Sequence, residues 1–335
     1  MLKDNTKYAY AVGRIRVLED RMIDEGKLLR MTDAPDFEAA FSILNETPYA
    51  EFSGMLKTPF DFEELLHLEL NRLKSVLDKL APRNSILECL WFKYDVNNIK
   101  TLVKARYLGR SDVECPLFRV GTIDAEVLRI YIFEQSGELP QEMERMINEI
   151  QVRYEKTPDP EMIDIVLDKW YFSKLKKAAK LNKVPFFTNL VNSEIDLANI
   201  KIFLRLKTEK REQALFESSF AGKGTLDLKF FLELFSKNLE DFVAKFRFSP
   251  YHRIVSEGVD FYLKNKSFIL AEKLMKNYLI DYLKKAKRLS FGIEPVIGYL
   301  LAKESEIKTL RLIFRAKLND IKTELIKERI CCSYV

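Results

Sequence analysis

The sequence predicts an all-α protein, and three observations support this prediction. Only 11 Gly and 11 Pro occur in 335 residues, so helix breakers are rare and the elements are long. Apolar side chains recur at helical spacing along most of the chain, for example over 61–81 and 159–180. The apolar–polar alternation that marks a half-buried strand is hard to find.

Two segments show how individual helices are recognised. Segment 61–81 follows Pro59 and Asp61, which suit a helix entry. Segment 159–180 opens with Asp159 and Pro160, an N-cap and first-turn pair. One apolar stripe runs along the first segment at i, i+3 and i+4 intervals: Phe62, Leu65, Leu66, Leu70, Leu73 and Leu77.

A twelve-residue helical frame is written three times, as DVNNIKTLVKAR (95–106), DLANIKIFLRLK (196–207) and EIKTLRLIFRAK (306–317). Four apolar and three basic positions agree in all copies. The sequence GTID at 121–124 also recurs as GTLD at 224–227. The chain is therefore predicted to contain three similar helical units, 1–110, 111–210 and 211–335.

A period of about a hundred residues is longer than the 20 to 50 residues of solenoid repeats, so each unit should be a small helical bundle. Three bundles can surround a centre, or they can form an extended array. The frames depart from one another at one polar position, where Thr309 stands in place of Asn98 and Asn199.

The first and last residues of each frame are the candidate functional positions. Each frame begins with an acid and ends with a base, and both lie in the apolar sector of the helix. Three turns separate them, so they are too far apart to reach each other. They either complement the dipole of their own helix, for which Ser193 and Asp196 would also form a capping box, or meet a neighbouring repeat or a central recess. The six residues are Asp95, Arg106, Asp196, Lys207, Glu306 and Lys317.

Charge is nearly balanced, with 55 basic and 50 acidic residues, which is weak support for a nucleic-acid partner. The strongest local excess of bases lies in 264–290. This segment is a candidate docking patch for an acidic partner, with four bases at its end: Lys284, Lys285, Lys287 and Arg288.

No motif for catalysis, a cofactor or a metal was found in the sequence. Cys89, Cys115, Cys331 and Cys332 lack metal-ligand spacing, and AGKGT (221–225) lacks the first Gly and the Ser or Thr of a phosphate loop. No run approaches the length of a membrane span, and the first residues lack the apolar core of a signal peptide. We therefore expect a soluble intracellular protein without an active site.

Three segments resemble one known family. They are the opening YAYAVGRIRVLEDRMI, the twice-written D-x-x-N-I-K, and the closing EPVIGYLLAKESEIKTLRLIFRAK with IKERI and a terminal YV. Together they resemble the C subunit of the archaeal and bacterial V/A-type ATPases, which is related to the d subunit of eukaryotic V-type pumps. The likeness extends over essentially the whole chain.

The resemblance implies three similar bundles around a pseudo-threefold axis in a funnel-shaped protein with a central opening. It implies a non-catalytic rotor component of the central stalk, which receives the shaft, caps the membrane proteolipid ring and couples ATP turnover to ion transport. Such a protein would be cytoplasmic and peripheral to the membrane through protein contacts, with no nucleic-acid partner. A general helical scaffold outside rotary ATPases is the main alternative, and a basic helical RNA-binding protein is a third.

Overall fold

A computed structural model describes residues 6–110, 113 and 117–335, and Cys115 lies outside them. The described residues form 17 α-helices and four short 3-10 helices and contain no strand. The all-α prediction is confirmed. No helix among these residues is both long and apolar enough to cross a bilayer.

The chain divides into two compact units. The first unit combines the two ends of the chain, Met1–Pro82 and Lys237–Val335, and the second unit is Arg83–Ser236. The first unit contains ten α-helices: α1 Ala9–Glu19, α2 Glu25–Asp33, α3 Phe37–Ser42, α4 Ala50–Ser53, α5 Phe62–Leu80, α13 Leu239–Lys245, α14 His252–Asn265, α15 Ile269–Lys284, α16 Glu294–Leu318 and α17 Thr323–Lys327. The second contains seven: α6 Ser85–Tyr107, α7 Ala125–Glu134, α8 Gln141–Lys156, α9 Pro160–Asn182, α10 Pro185–Thr208, α11 Gln213–Ser219 and α12 Leu228–Phe235.

Both helices singled out in the sequence are present with nearly the predicted ends. Segment 61–81 forms α5, and its apolar stripe is buried. Segment 159–180 forms α9, where the Asp159 carboxylate accepts a hydrogen bond from the Glu161 amide at 2.9 Å. In the second unit the Trp170 ring meets the Phe92 ring edge-on with centroids 4.7 Å apart, so this tryptophan belongs to the core.

The three frames lie on three long helices, α6, α10 and α16, which end in the same way. Three residues after the end of each frame comes a positive φ, at Gly109 (68°), Lys210 (55°) and Asp320 (52°). The next amide reaches back five residues to a helix carbonyl, at 3.1, 2.9 and 2.9 Å respectively. This is a Schellman-type stop, which satisfies carbonyls that a helix end would otherwise leave unpaired.

Candidate functional site: three acid–base brackets

The frame acids and bases occupy different parts of their helices. Asp95, Asp196 and Glu306 lie in the middle of α6, α10 and α16, whereas the frame bases lie in the last turn. The helix-dipole interpretation therefore fits the bases but is wrong for the acids. The predicted capping box is also wrong, because Ser193 lies inside α10.

In the first copy, the acid and the base hold the two ends of α7. The fully buried Asp95 carboxylate accepts from the Thr122 amide at 2.8 Å, the Thr122 hydroxyl at 2.6 Å and the Ile123 amide at 3.2 Å. At the other end, the Arg106 guanidinium donates to the Ile132 carbonyl at 2.6 Å. We call this arrangement an acid–base bracket: a frame acid binds amides at the start of a second helix, and the frame base binds carbonyls at its end.

The second copy repeats the bracket around α12. The buried Asp196 carboxylate accepts from the Thr225 amide at 3.0 Å, from the Leu226 amide at 2.9 Å and from the Thr225 hydroxyl. The Lys207 ammonium donates to the carbonyl of Phe235, the last residue of α12. The repeated GTID and GTLD sequences thus supply equivalent donors to equivalent acids.

The third bracket closes around α2, which comes from the other end of the chain. The Glu306 carboxylate accepts from the Ile23 amide at 2.6 Å, and the Lys317 ammonium donates to the Ala34 carbonyl just after α2. Ile23 precedes the N-cap residue Asp24, just as Ile123 and Leu226 precede N-caps.

The brackets have a common electrostatic logic. Each bracketed helix begins at the frame's acid and ends at its base, so the negative charge faces a helix N-terminus and the positive charge a C-terminus. Each such contact stabilises by about 0.3–1 kcal/mol, and up to about 2 kcal/mol when partly buried. On the frame helix, the acid and the base are eleven residues apart, which is about 16 Å at 1.5 Å per residue. The backbone groups that they bind at the two ends of the second helix are roughly 13–17 Å apart at the same rise per residue. Both ends can therefore be bound at once.

Glycine permits the close approach of two of the acids. A Cβ placed on Gly121 would lie 1.9 Å from an Asp95 carboxylate oxygen, and one on Gly224 would lie 2.3 Å from an Asp196 oxygen. The third bracket has Arg21 at the corresponding position, and there the acid is Glu306. Glu306 is one methylene longer than the two aspartates and binds the Ile23 amide, which corresponds to the amides of Ile123 and Leu226.

The polar difference at Thr309 also has a structural explanation. Asn98 binds both backbone groups of Phe118, at 2.9 and 2.8 Å, and the Asn199 amide oxygen accepts from the Ala221 amide at 2.8 Å. These partners belong to irregular segments whose backbone needs side-chain hydrogen bonds. In the third copy the segment before the bracketed helix is α1, whose backbone is already bonded, and Thr309 instead bonds within its own helix.

The third acid is further distinguished by a buried ionic network. Besides the Ile23 amide, Glu306 accepts from the Tyr49 hydroxyl at 2.8 Å and the Lys303 ammonium at 2.6 Å. Lys303 also lies 2.9 Å from Glu69, and all three charged side chains are at most 4% exposed. A buried charge that keeps its partners is tolerated, whereas removal of one partner costs about 3–5 kcal/mol.

The network shifts the pKa values of its members in one direction. Burial alone would lower the pKa of Lys303, but the negative charges of Glu306 and Glu69 outweigh it and raise that pKa above its ordinary value. Burial, together with the same two carboxylates, raises the pKa of Tyr299 to about 12. The lysine therefore stays charged and the phenol neutral over the physiological range.

The middle bases of the frames, which the sequence suggested were simply solvated, form ion pairs in all three copies, although the pair in the second copy, Arg205 with Glu209 at 3.5 Å, is exposed. Lys100 lies 2.6 Å from Asp168 on α9. In the third copy Arg311 and Arg315 both bind Glu63 on α5, at 2.8 and 2.7 Å.

Sequence reasoning found the six bracket residues but missed most of their partners. GTID and GTLD were recognised as marks of duplication and not as donors. The third donor segment, Ile23–Asp24, was missed because Arg21 and Met22 replace Gly and Thr. The remaining signal is an Ile or Leu followed by Asp at a helix start.

The candidate docking patch lies where α15 runs into the 3-10 turn Lys285–Arg288. Lys284 ends α15 and lies 4.0 Å from Asp281. The turn is tied to α1 because the Arg16 guanidinium donates to the carbonyls of Ala286 at 3.0 Å and Leu289 at 2.6 Å.

The acids and bases of the brackets bind backbone groups within the fold, so the site that they form is structural. Comparison with known proteins gives the family: the model of the ATP synthase (C/AC39) subunit family matches residues 11–329. The chain belongs to this family, the C subunits of the A/V-type ATP synthases, which are structural and not catalytic.

Two relatives illustrate the extent of the similarity. The chain is 27% identical to the C subunit of the A-type ATP synthase of Methanocaldococcus jannaschii, with 98% of this chain and 87% of the relative covered. It is 25% identical to the C subunit of the V-type sodium ATPase of Enterococcus hirae, with 94% and 95% covered.

Proposed function

We propose that this protein is the central-stalk socket of a rotary ATPase, linking the shaft to the membrane proteolipid ring and transmitting torque between them. The observation that carries the proposal is the family match, which extends over residues 11–329 and therefore includes both units. The protein would lie on the cytoplasmic side of the membrane and be held there by protein contacts.

The brackets support a mechanical role. Torque transmission needs an adaptor whose helices do not slide along one another under load. A bracket opposes sliding because movement of the bound helix along its axis would separate charged side chains from their backbone partners at both ends, and each buried group left unpaired costs about 1–3 kcal/mol. Close-packed cores such as the Phe92–Trp170 cluster also transmit strain, because densely packed interiors have low compressibility.

We infer that the three brackets are equivalent contacts of one repeat, each joining the frame of one predicted unit to a helix of the next, with the third frame returning to the first unit. The first bracket joins a frame that ends before residue 110 to a helix after it, and the second joins a frame that ends before residue 210 to a helix after it. The third joins the frame near the C-terminus to Ile23. Units 1–110, 111–210 and 211–335 stay a prediction, as does the lining of a central opening by the six bracket residues.

Reconstitution tests the proposed function. The purified protein is mixed with the shaft subunits and, separately, with the proteolipid ring of the same ATPase. We expect stable complexes with both, and coupling between ATP hydrolysis and ion transport only when the protein is present. A protein that binds neither component and instead purifies with unrelated proteins is a general scaffold, and the proposal is then wrong.

A further inference from the structure

We propose that α1 and the turn after α15 together form a docking surface for an acidic amphipathic helix of a shaft protein. This basic–apolar face is defined by Tyr10, Gly13, Arg14 and Val17 on α1 and by Lys285, Lys287, Arg288, Leu289 and Phe291 after α15. The inference deepens the proposed function, on which it rests, by assigning a surface and a partner chemistry to it.

The two parts of the face are held together by one side chain. Arg16 lies next to Val17 on α1 and donates to the Ala286 and Leu289 carbonyls, while its other nitrogen lies 2.6 Å from Glu19. Glu19 is buried and accepts from the Tyr334 hydroxyl at 2.9 Å. The basic turn is therefore fixed against α1 and the C-terminal segment and is available as a preformed surface.

Positive charge is concentrated on this face, where three bases lie within the four residues 285–288. Arg14, Lys285, Lys287 and Arg288 are exposed, and none has a carboxylate within ion-pair distance in the part of the chain that the structure describes. Lys285 and Lys287 instead lie over the rings of Tyr282 and Tyr334, at 4.8 and 5.3 Å. By contrast, Lys100 and Arg311 in the first and third frames have acidic partners. Such a surface complements an acidic one.

Both parts of the face also carry exposed apolar side chains. Tyr10 is 71% exposed, Val17 46%, Leu289 39% and Phe291 42%. Single exposed apolar residues are common, but several of them together with bases on two segments that Arg16 joins have the mixed apolar and basic composition of an interface.

Gly13 indicates that the partner is a helix. Tyr10, Gly13, Arg14 and Val17 follow one another at helical spacing on the exposed side of α1. A Cβ on Gly13 would meet nothing within 4 Å, so packing within the protein does not require glycine there. Glycine inside a helix costs roughly 0.5–1 kcal/mol relative to alanine. A notch between two larger side chains lets a second helix approach closely, with its ridge in the groove.

An acidic protein helix fits this face better than a membrane does. Leu289, Phe291 and Val17 are each less than half exposed, which suits contact with a complementary protein surface and leaves little side chain to insert into lipid. The other proteins of the ATPase are also the partners that the family implies.

The test compares two sets of charge reversals with the same change in net charge. The first replaces Lys285, Lys287 and Arg288 by Glu. The control makes the same replacement at three exposed bases elsewhere in the first unit: Lys57, Lys79 and Lys237. A third variant, Gly13→Leu, fills the notch. Circular dichroism and thermal unfolding establish that each variant is folded, and binding to purified shaft subunits and to the proteolipid ring is measured at low and moderate salt.

We expect the first triple variant to bind the shaft about a hundredfold more weakly and to lose most of the salt dependence, while the control triple changes affinity by less than about threefold. Gly13→Leu should weaken shaft binding about tenfold and leave the salt dependence unchanged. Ring binding should be the same in all variants.

Three results would overturn the inference. The first is that the two triple variants bind the shaft equally well. The second is that the first triple variant no longer binds the ring but still binds the shaft. The third is that the wild type uses this face to bind vesicles of phosphatidylglycerol and binds the shaft through another surface. Each of these leaves the proposed function intact, because the wild type still binds the shaft. If the wild type binds neither shaft nor ring, the proposed function fails, and the inference with it.

Discussion

Replacing Asp95 by Asn should release the start of α7 from the first bracket. The change preserves the size of the side chain but removes its charge and turns one acceptor into an NH2 group. That NH2 group would face either the Thr122 amide or the Ile123 amide, which now donate to different oxygens of Asp95 at 2.8 and 3.2 Å. At least one of these amides would lose its acceptor on the fully buried side chain.

The magnitude follows from the number and kind of hydrogen bonds. Asp95 is 0% exposed and accepts hydrogen bonds from two amides and a hydroxyl, each worth about 1.5–3 kcal/mol because the acceptor is charged. These bonds share one carboxylate and are not additive, so we expect a loss of about 3–5 kcal/mol, as for a buried charge that loses its partner. At about 1.4 kcal/mol per factor of ten, amide exchange near the bracket should accelerate by at least about a hundredfold.

Hydrogen exchange followed by mass spectrometry measures this directly, together with urea unfolding followed by circular dichroism. The peptide that contains Thr122 and Ile123 reports the local opening. Asp164→Asn is the control, because Asp164 belongs to the same unit and loses an ion pair with Lys104 of 2.6 Å, but is 40% exposed. Its cost should be under about 1 kcal/mol.

The reasoning is refuted if the amides of Thr122 and Ile123 exchange at the wild-type rate in Asp95→Asn. It is also refuted if the two variants lower the unfolding midpoint equally. Either result would mean that the bracket's acid does not hold the start of α7.

Three further predictions concern the second bracket, the third bracket and Tyr299, whose pKa burial and the ionic network shift. Gly224→Ala should lower the unfolding free energy by about 2–4 kcal/mol in urea titrations, because the new methyl group would overlap the bracket carboxylate, whereas Gly54→Ala, with nothing within 4 Å of a Cβ, should change it by less than about 1 kcal/mol; equal costs would contradict the close-approach argument. Lys317→Met should leave the Ala34 carbonyl unpaired and cost about 1–3 kcal/mol, with faster exchange at the end of α2 and unchanged exchange in the second unit. Burial raises the pKa of Tyr299 to about 12, so the contribution of the neutral phenol to the unfolding free energy is complete below about pH 10 and is lost as pH rises through 12. Tyr299→Phe should therefore reduce the alkaline fall in unfolding free energy by up to about 2.7 kcal/mol, and an identical pH profile in urea titrations would contradict this.

Sequence periodicity was sufficient to predict the helices, because a helix forms where its own apolar stripe can be buried. The stripe in 61–81 and the cap at Asp159 lie within single helices, and α5 and α9 form where they were predicted. The three frames were also visible, since duplication preserves both the apolar sector and the terminal charges. The candidate residues followed from their position on that sector.

The partners of those residues could not be predicted in the same way. Asp95 binds residues 27 and 28 positions later in the chain, and Glu306 binds Ile23 across 283 positions. No periodic signal links such distant segments, because the hydrogen bonds join one side chain to backbone amides, which every residue except proline has. The position of the acids in the middle of their helices could not be predicted either, because this needs the true helix ends.

The sequence by itself determined that the protein is helical, that it carries three copies of one amphipathic frame with an acid at the front and a base at the back, and that it resembles the C subunit of the V/A-type ATPases. Only the tertiary structure decided what the acid and base are for. They hold the two ends of a second helix, and in the third copy that helix comes from the opposite end of the chain. Charges act on whatever backbone groups folding brings within about 3 Å, and that distance is set by the packing of the whole unit.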